Sequence, residues 1–271
     1  MTLIKMKEHI LSHLSAECPW RDTLYWYDTI SSTNTKAKEL AQDGAPHGTV
    51  LVADHQTGGR GRLGRSFSSP AGMGVYLSVL LRPNCQPAAL MHLTCAAAVA
   101  MCNAVEQAAG IRPKIKWTND LVFNKKKLGG ILTELSPNPD TGLVDYAIIG
   151  IGINCCQNPS DFPPEIGDMA ASLSMVSGKE ISRAYLAAAM IEKLVEMDRS
   201  LLPEKEKIMD RYKKDCITLG QDILLVRGEE KRYGTAIDLD AEGGLTVRFA
   251  DGTVGTVTSG EVSVRGMYGY L

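Results

Sequence analysis

The sequence predicts an α+β protein with a mixed sheet in its larger part and a small β-rich domain at its C-terminal end. Three observations carry that expectation. Strand-like and helix-like segments alternate irregularly up to Cys216, which favours α+β over a doubly wound sheet. After Cys216 the texture becomes short strands at regular intervals, parted by Gly, Asp and Glu turns. The length, 271 residues, is generous for one domain and short for two full-sized ones. The boundary is therefore set between 1–216 and 217–271.

Each element has its own signal. Residues 3–14 place Leu3, Met6, Ile10, Leu11 and Leu14 at helical spacing. LYWYD (24–28) reads as a strand, and Ser31 or Ser32 then caps a helix through about Gln42. TVLVADHQ (49–56) is a buried-looking strand that runs into a Gly/Arg loop, and GVYLSVLLR (74–82) is another strand. Residues 88–109 form a long Ala-rich helix. Three apolar strands are expected around 114–124, 127–135 and 143–154, with PNPDTG turning between the last two. Helices return at about 180–201 and 204–215. ILLVRG, YGTAIDLD, LTVRFA and GTVGTVTSGEV complete a small β-barrel or sandwich.

Composition narrows the function classes. The 29 basic residues face 31 acidic ones, a net charge of −2, which disfavours DNA or RNA as the main partner. Seven cysteines (18, 85, 95, 102, 155, 156 and 216) include no C-x-x-C and read as small core residues of a reducing cytoplasm. The N-terminus has no signal-peptide pattern, and the apolar run Leu93–Val105 is too short to span a bilayer. A cytoplasmic protein with no membrane partner is expected.

The most informative stretch is Gln56-Thr-Gly-Gly-Arg-Gly-Arg-Leu-Gly-Arg-Ser-Phe67. Its letters satisfy G-x-G-x-x-G and approach a P-loop, but both motifs need a helix right after the glycines. The residues that follow, SFSSPAGMG, do not propagate one. What survives is chemistry. Glycines at 58, 59, 61 and 64 let backbone approach a ligand closely and leave the loop mobile when empty. Arg60, Arg62 and Arg65 present forked donors for carboxylate or phosphate oxygens. A solvated surface loop would have the same composition, and the loop alone does not separate the two readings.

A second constellation favours the anion site. Lys116-Trp-Thr-Asn-Asp120 ends a short strand, and Lys127-Leu-Gly-Gly-Ile-Leu132 begins another after a basic turn. Lys125, Lys126 and Lys127 have a plain reading as a solvated hairpin tip, and Asn119-Asp120 as turn chemistry. Gly129 and Gly130 within an apolar strand fit close ligand approach better.

Together with Ser32-Thr33-Asn34 and Gly150-Ile-Gly-Ile-Asn154, these segments make the chain resemble the biotin protein ligase family from about residue 24 to 265. The resemblance implies a catalytic core related to class II aminoacyl-tRNA synthetases and an SH3-like C-terminal barrel. It implies that Ser32, Thr33, Asn34, Gln56, Gly59 and Gly130 line a biotin pocket, with Arg60, Gly61 and Arg62 in a loop closing over biotin and its adenylate. Lys127 would face the biotinyl carboxylate and the phosphate. Arg62, Arg65, Phe67, Lys116, Asn119 and Asn154 would serve ATP and the adenylate, with magnesium carried by the substrate phosphates and Asp120 a candidate ligand. Lys127, Arg62, Lys116 and Asp120 are the catalytic candidates. Two departures stand out: Thr118 replaces the family's usual proline and Phe67 a frequent tryptophan. About 20 residues precede the first core strand, fewer than the winged helix-turn-helix of the repressor members needs, so an enzyme rather than a regulator is expected. The implied partner is a biotin carboxyl carrier protein or domain, and the dimers found in the family make a homodimer an expectation.

The implied chemistry explains the lack of a Ser-His-Asp or Cys-His pattern. Biotin's carboxylate is ionised at neutral pH and attacks the α-phosphate of ATP without a base, so it needs positioning and charge neutralisation. The carrier lysine, with a solution pKa near 10.4, is neutral in roughly one copy in 2,500 at pH 7 and must lose a proton, for which Asp120 is the candidate acceptor. Lipoate protein ligase, a DNA-binding biotin sensor and a non-catalytic nucleotide-binding module are the competing readings.

Overall fold

The computed structural model describes residues 3–258 and 263–266. The first helix, α1 (Leu3–His13), leads into β1 (Leu24–Ile30), α2 (Thr33–Gln42), β2 (Thr49–Gln56), β3 (Gly74–Leu81) and α3 (Leu93–Ala109). Four strands follow: β4 (Lys114–Lys116), β5 (Asp120–Phe123), β6 (Lys126–Pro137) and β7 (Val144–Asn154). They join a seven-stranded sheet of order β1-β2-β3-β7-β6-β5-β4, in which β1 and β2 run parallel and every other pair is antiparallel. The sheet is mixed, as expected.

Helices cover both faces, which is why β3 is buried at every residue. Val50 and Val52 of β2 turn towards α3 and α5 (Arg183–Ser200), while Leu51 between them joins Ala37 and Ala41 of α2 on the opposite face. Leu51 is fully buried, a burial that contributes on the order of 2 kcal/mol. The helical stretch 87–109 is long and apolar enough to cross a membrane by composition, longer than the run the sequence reading considered. It lies largely inside this core instead. Ser182 caps α5 by accepting from the Tyr185 N–H at 3.2 Å. Between β7 and α5 lie a long irregular segment and α4 (Leu173–Ser177), and α6 (Lys205–Asp215) follows α5.

Three local expectations need correction. The strand expected over 114–124 is two antiparallel strands, β4 and β5. The intervening backbone is taken by tertiary partners: Trp117 N–H donates to Thr218 Oγ1 at 2.9 Å, and Tyr212 Oη donates to Thr118 O at 3.0 Å. Ser32 does stand at the N-cap of α2, but its side chain makes no capping bond. Gln56 Oε1 accepts from the Thr33 N–H instead, at 2.9 Å. Lys126 is not part of the turn, because β6 starts there, paired with Phe123. The turn is Asn124-Lys125 alone, both at positive φ (46° and 65°), the mirror-image geometry that suits a two-residue hairpin.

Past Cys216, β8 (Asp222–Arg227), β9 (Glu230–Leu239), β10 (Leu245–Phe249), β11 (Val254–Val257) and β12 (Ser263–Gly266) form a five-stranded antiparallel sheet of order β11-β10-β9-β8-β12. The strand expected over 252–262 is β11, and its residues 259–262 lie outside the described residues. This sheet shares the main core: Ile223, Leu225, Leu245 and Val247 pack in one cluster with α3 and α6. Trp117 Nε1 donates to Gly243 O at 2.9 Å, tying the β10 side of the small sheet to the β4–β5 connection.

Candidate functional site

One cavity of about 360 Å³ opens where β2, β6 and β7 meet the Gly/Arg loop, a size suited to a small-molecule ligand. Of the sequence-selected residues, Ser32, Asn34, Gln56, Arg60, Gly61, Arg62, Arg65, Phe67, Lys116, Asn119, Asp120, Lys127, Gly130 and Asn154 all line it. Thr33 and Gly59 do not. Thr33 is buried behind Gln56, where its hydroxyl donates to Gln56 Oε1 at 3.1 Å. Gly59 is buried where an added Cβ would come within 2.3 Å of Phe67 O.

Polar groups fix the floor. Gln56 Oε1 receives both Thr33 donors, and its Nε2 donates to Ser69 Oγ at 2.9 Å, which orients the amide. Ser78 Oγ lies 2.7 Å from Thr33 Oγ1 and 2.6 Å from Asn34 Oδ1, and its single proton serves one of them. Asn34 Nδ2 donates to Glu134 Oε2 at 2.9 Å. The glycines of the Gly-Ile-Gly-Ile-Asn segment make room for this arrangement. A Cβ on Gly150 would stand 1.9 Å from Asn34 Oδ1, and one on Gly152 would stand 2.4 Å from the Phe67 ring.

The Gly/Arg loop is built by its own backbone. Gly61 N–H donates to Arg65 O at 2.7 Å and Phe67 N–H to Gly59 O at 2.9 Å, around a 3-10 turn at Arg62–Gly64. Arg62 is half-buried, contrary to the picture of a fully solvated loop side chain. Burial pulls its guanidinium below the usual arginine pKa; Asp120 opposes that shift and Arg65 adds to it. Arg62 Nη1 donates to Asn119 Oδ1 at 2.9 Å, and Asn119 Nδ2 donates to Ile131 O at 2.9 Å, so the loop is docked onto the hairpin.

On the hairpin itself, Lys127 Nζ lies 2.7 Å from Asp120 Oδ1. Gly130 sits beneath them, where an added Cβ would come 3.4 Å from Lys127 Nζ. Arg60, Arg62, Arg65, Lys116 and Lys127 thus bring five cationic side chains to the cavity wall. Such a wall binds and neutralises anions. Among the described residues no group of three or more His, Cys, Asp or Glu could cage a metal. None of the five histidines lines the cavity. Cys95 and Cys102 are buried, and burial pushes their thiols up to about 12, which fits inert core residues.

Residues 26–154 match the biotin/lipoate A/B protein ligase family, and residues 218–265 match the biotin protein ligase C terminal domain. The bifunctional ligase/repressor BirA of Bacillus subtilis is 40% identical over 234 residues, covering 84% of this chain and 70% of that protein. The biotin--[acetyl-CoA-carboxylase] ligase of Mycobacterium tuberculosis is 29% identical over 237 residues, 85% of each chain. The biotin protein ligase from Aquifex aeolicus, solved in complex with biotin and ATP, superposes with a TM-score of 0.75 at 33% identity over 90% of this chain and 98% of its own. The chain belongs to the biotin protein ligase family.

Every cavity residue singled out from sequence falls inside the first family match, 26–154. The wall that sequence reasoning missed lies beyond it: Gln157, Asp161, Phe162, Ile166, Met169 and Ala170. This segment is stitched to β6 by Lys127 N–H to Met169 O (2.7 Å) and Ala171 N–H to Lys127 O (2.9 Å). Asn154 Nδ2 donates to Ala171 O at 3.2 Å, and Gln157 Nε2 donates to Asn154 Oδ1 at 3.3 Å. Its only sequence signal was the run Phe162-Pro-Pro with Ile166 and Met169, apolar residues in a stretch without periodicity. Ser78, Lys38 and Glu134 were missed too, since a polar residue in a strand or on a helix face reads as solvent-facing.

Proposed function

We propose that this chain is an ATP-dependent biotin protein ligase that forms biotinyl-5'-AMP from biotin and ATP, then transfers biotin to a lysine of a carrier protein. The observation that carries the reading is the convergence of Arg62, Lys116 and Lys127 on a cavity that also presents the uncharged polar side chains of Ser32, Asn34 and Gln56. A neutral, polar ureido ring suits the Ser32, Asn34 and Gln56 end. The carboxylate and the α-phosphate meet at the cationic wall. Two anions brought together repel, and fixed cations in a partly desolvated site relieve that repulsion as the new bond forms. The Aquifex aeolicus relative holds biotin and ATP.

In this reading Lys127 bridges carboxylate and phosphate, Arg62 retains the adenylate, and Lys116, Asn119, Arg65, Phe67 and Asn154 serve the nucleotide. Magnesium arrives with ATP. Its preference for phosphate oxygens and one or two carboxylates fits a cavity lined by Asp120 and Asp161 and no larger acidic cluster. Asp120 then takes or orients the carrier lysine's proton, once its contact with Lys127 is shared with substrate. Residues 1–216 form the catalytic domain, related to class II aminoacyl-tRNA synthetases, and 217–271 an SH3-like domain. The partner is a biotin carboxyl carrier domain of a carboxylase, in the cytoplasm, and the ligase works as a homodimer without DNA.

The decisive assay is isotope exchange between pyrophosphate and ATP. Exchange that needs biotin, and is not supported by lipoate, supports the reading. Exchange with lipoate in place of biotin, or none with either, defeats it.

A further inference from the structure

Glu134 was singled out by no motif, yet it touches three parts of the site at once. It stands on β6 with its side chain only 20% exposed. Its Oε2 accepts from Asn34 Nδ2 at 2.9 Å, and its Oε1 lies 2.6 Å from Lys38 Nζ. Asn34 and Lys38 are four apart on α2, so both side chains leave the same helix face and reach one carboxylate. The third contact is the informative one: Arg60 Nη1 of the Gly/Arg loop lies 3.5 Å from the same Oε1.

We propose that Glu134 is a positioning residue that latches the Gly/Arg loop onto the floor of the pocket. Asn34 and Lys38 hold the carboxylate rigidly from below, while Arg60, 48% exposed, holds it from above. The lower contacts persist, whereas an exposed ion pair is weak and opens readily. The latch therefore releases at Arg60. Burial alone would raise the Glu134 pKa, but the bonds from Lys38 and Asn34 and the charges of Lys38 and Arg60 hold it below the usual glutamate range. The carboxylate stays ionised at neutral pH. Three arginines in six residues repel one another, and Glu134 supplies a fixed counter-charge to one of them. Because Asn34 also touches Ser78, and Ser78 touches Thr33, which donates to Gln56, a shift in the floor moves the carboxylate that Arg60 must find. Loop closure is coupled in this way to what lies in the pocket. The link to biotinyl-AMP rests on the function proposed above; the latch itself does not.

Trypsin reads the loop whatever the pocket binds. Glu134→Gln keeps an acceptor for Asn34 and loses the charge. It is expected to raise the rate of cleavage after Arg65 several-fold in the folded protein and to speed release of biotinyl-AMP about tenfold, with adenylate formation less affected. Arg60→Gln should raise the same cleavage to a similar degree, and the double variant should add little to either single change, as two ends of one contact require. Lys38→Met, which loosens one of the two lower contacts but keeps both the Asn34 bond and the Arg60 pair, should raise cleavage clearly less than Glu134→Gln does. Unchanged cleavage in Glu134→Gln and in Arg60→Gln overturns the latch, as do additive effects in the double variant or a Lys38→Met effect equal to that of Glu134→Gln. Should Glu134→Gln fail to fold, Arg60→Gln decides by the same cleavage. Wild-type protein that makes no biotinyl-AMP, with the cleavage pattern as expected, would defeat the proposed function and leave the latch standing.

Discussion

Asp120 Oδ1 and Lys127 Nζ lie 2.7 Å apart across the β5–β6 hairpin, over the backbone of Gly130. The register pairs Asp120 with Gly130, so the carboxylate has no side chain opposite and Lys127 reaches forward into the gap. This pairing brings an anion and a cation to the cavity wall beside Arg62 and Lys116. It also separates Lys127 from its neighbour Lys125, which is exposed at the hairpin tip.

Lys127→Ala is expected to lose orders of magnitude in adenylate formation, because it removes a cation from where the proposed reaction brings two anions together. Lys125→Ala should stay near wild type. Biotin-dependent pyrophosphate release from both variants checks the difference, and two equal small losses would return the lysine run to solvated surface charge.

Asp120→Asn separates the two half-reactions. Given purified biotinyl-AMP and a carrier domain, the variant should transfer biotin at least tenfold more slowly than wild type at pH 7, with partial recovery as pH rises and more of the carrier lysine is neutral. Single-turnover transfer across pH 7–9 is the measurement. A flat ratio of variant to wild type over that range would argue that Asp120 holds Lys127 and does nothing to the proton.

Arg62→Ala should release biotinyl-AMP faster while the protein stays folded, since the side chain is only half-buried and the Asn119 amide it leaves still donates to Ile131 O. Loop residues 57–72 should gain amide-exchange protection when wild type binds the adenylate, and gain less in the variant. A variant that unfolds with adenylate release unchanged would make Arg62 structural.

Gly150→Ala forces a methyl to within 1.9 Å of Asn34 Oδ1. Overpacking of this kind costs about 1–3 kcal/mol, so the midpoint of urea unfolding should fall. The Michaelis constant for biotin should rise with it, because Asn34 must move. Gly167→Ala, whose Cβ would meet nothing closer than 3.8 Å, serves as the comparison and should do neither.

His92 sets a pH dependence of stability. It is fully buried at the start of α3, with Nε2 2.9 Å from Leu201 O and Nδ1 without a partner. Burial pushes its pKa below the usual histidine value; Lys205 adds to that, against the Leu201 bond and Glu242. A proton on Nδ1 would be a buried charge at the positive end of a helix. The folded pKa is the lower of the two, so the unfolded chain binds the proton first. The neutral form's contribution is full above about pH 6.5 and is lost as pH falls from there towards the depressed folded value. Thermal unfolding at pH 7.5 and 5.5 should show a smaller drop for His92→Gln than for wild type.

The sequence by itself determined the mixed α+β class, the β-rich C-terminal part and the motifs that carry charge. Local rules suffice for those: strand and helix periods, turn residues, and glycines next to arginines. It also marked Lys127 and Asp120 as separate members of two motifs. Only the tertiary structure decided that they share one hairpin gap, that Trp117 and Thr118 break a strand to bond the C-terminal part and α6 respectively, and that the wall from Gln157 to Ala170 closes the cavity. Glu134 and Asn34 meet across a separation of 100 residues, and Arg62 and Asn119 across 57. No period of 2 or 3.6 residues encodes such meetings. They depend on strand order and register, which are set when both faces of the sheet are buried at once and the polar groups left inside must find partners.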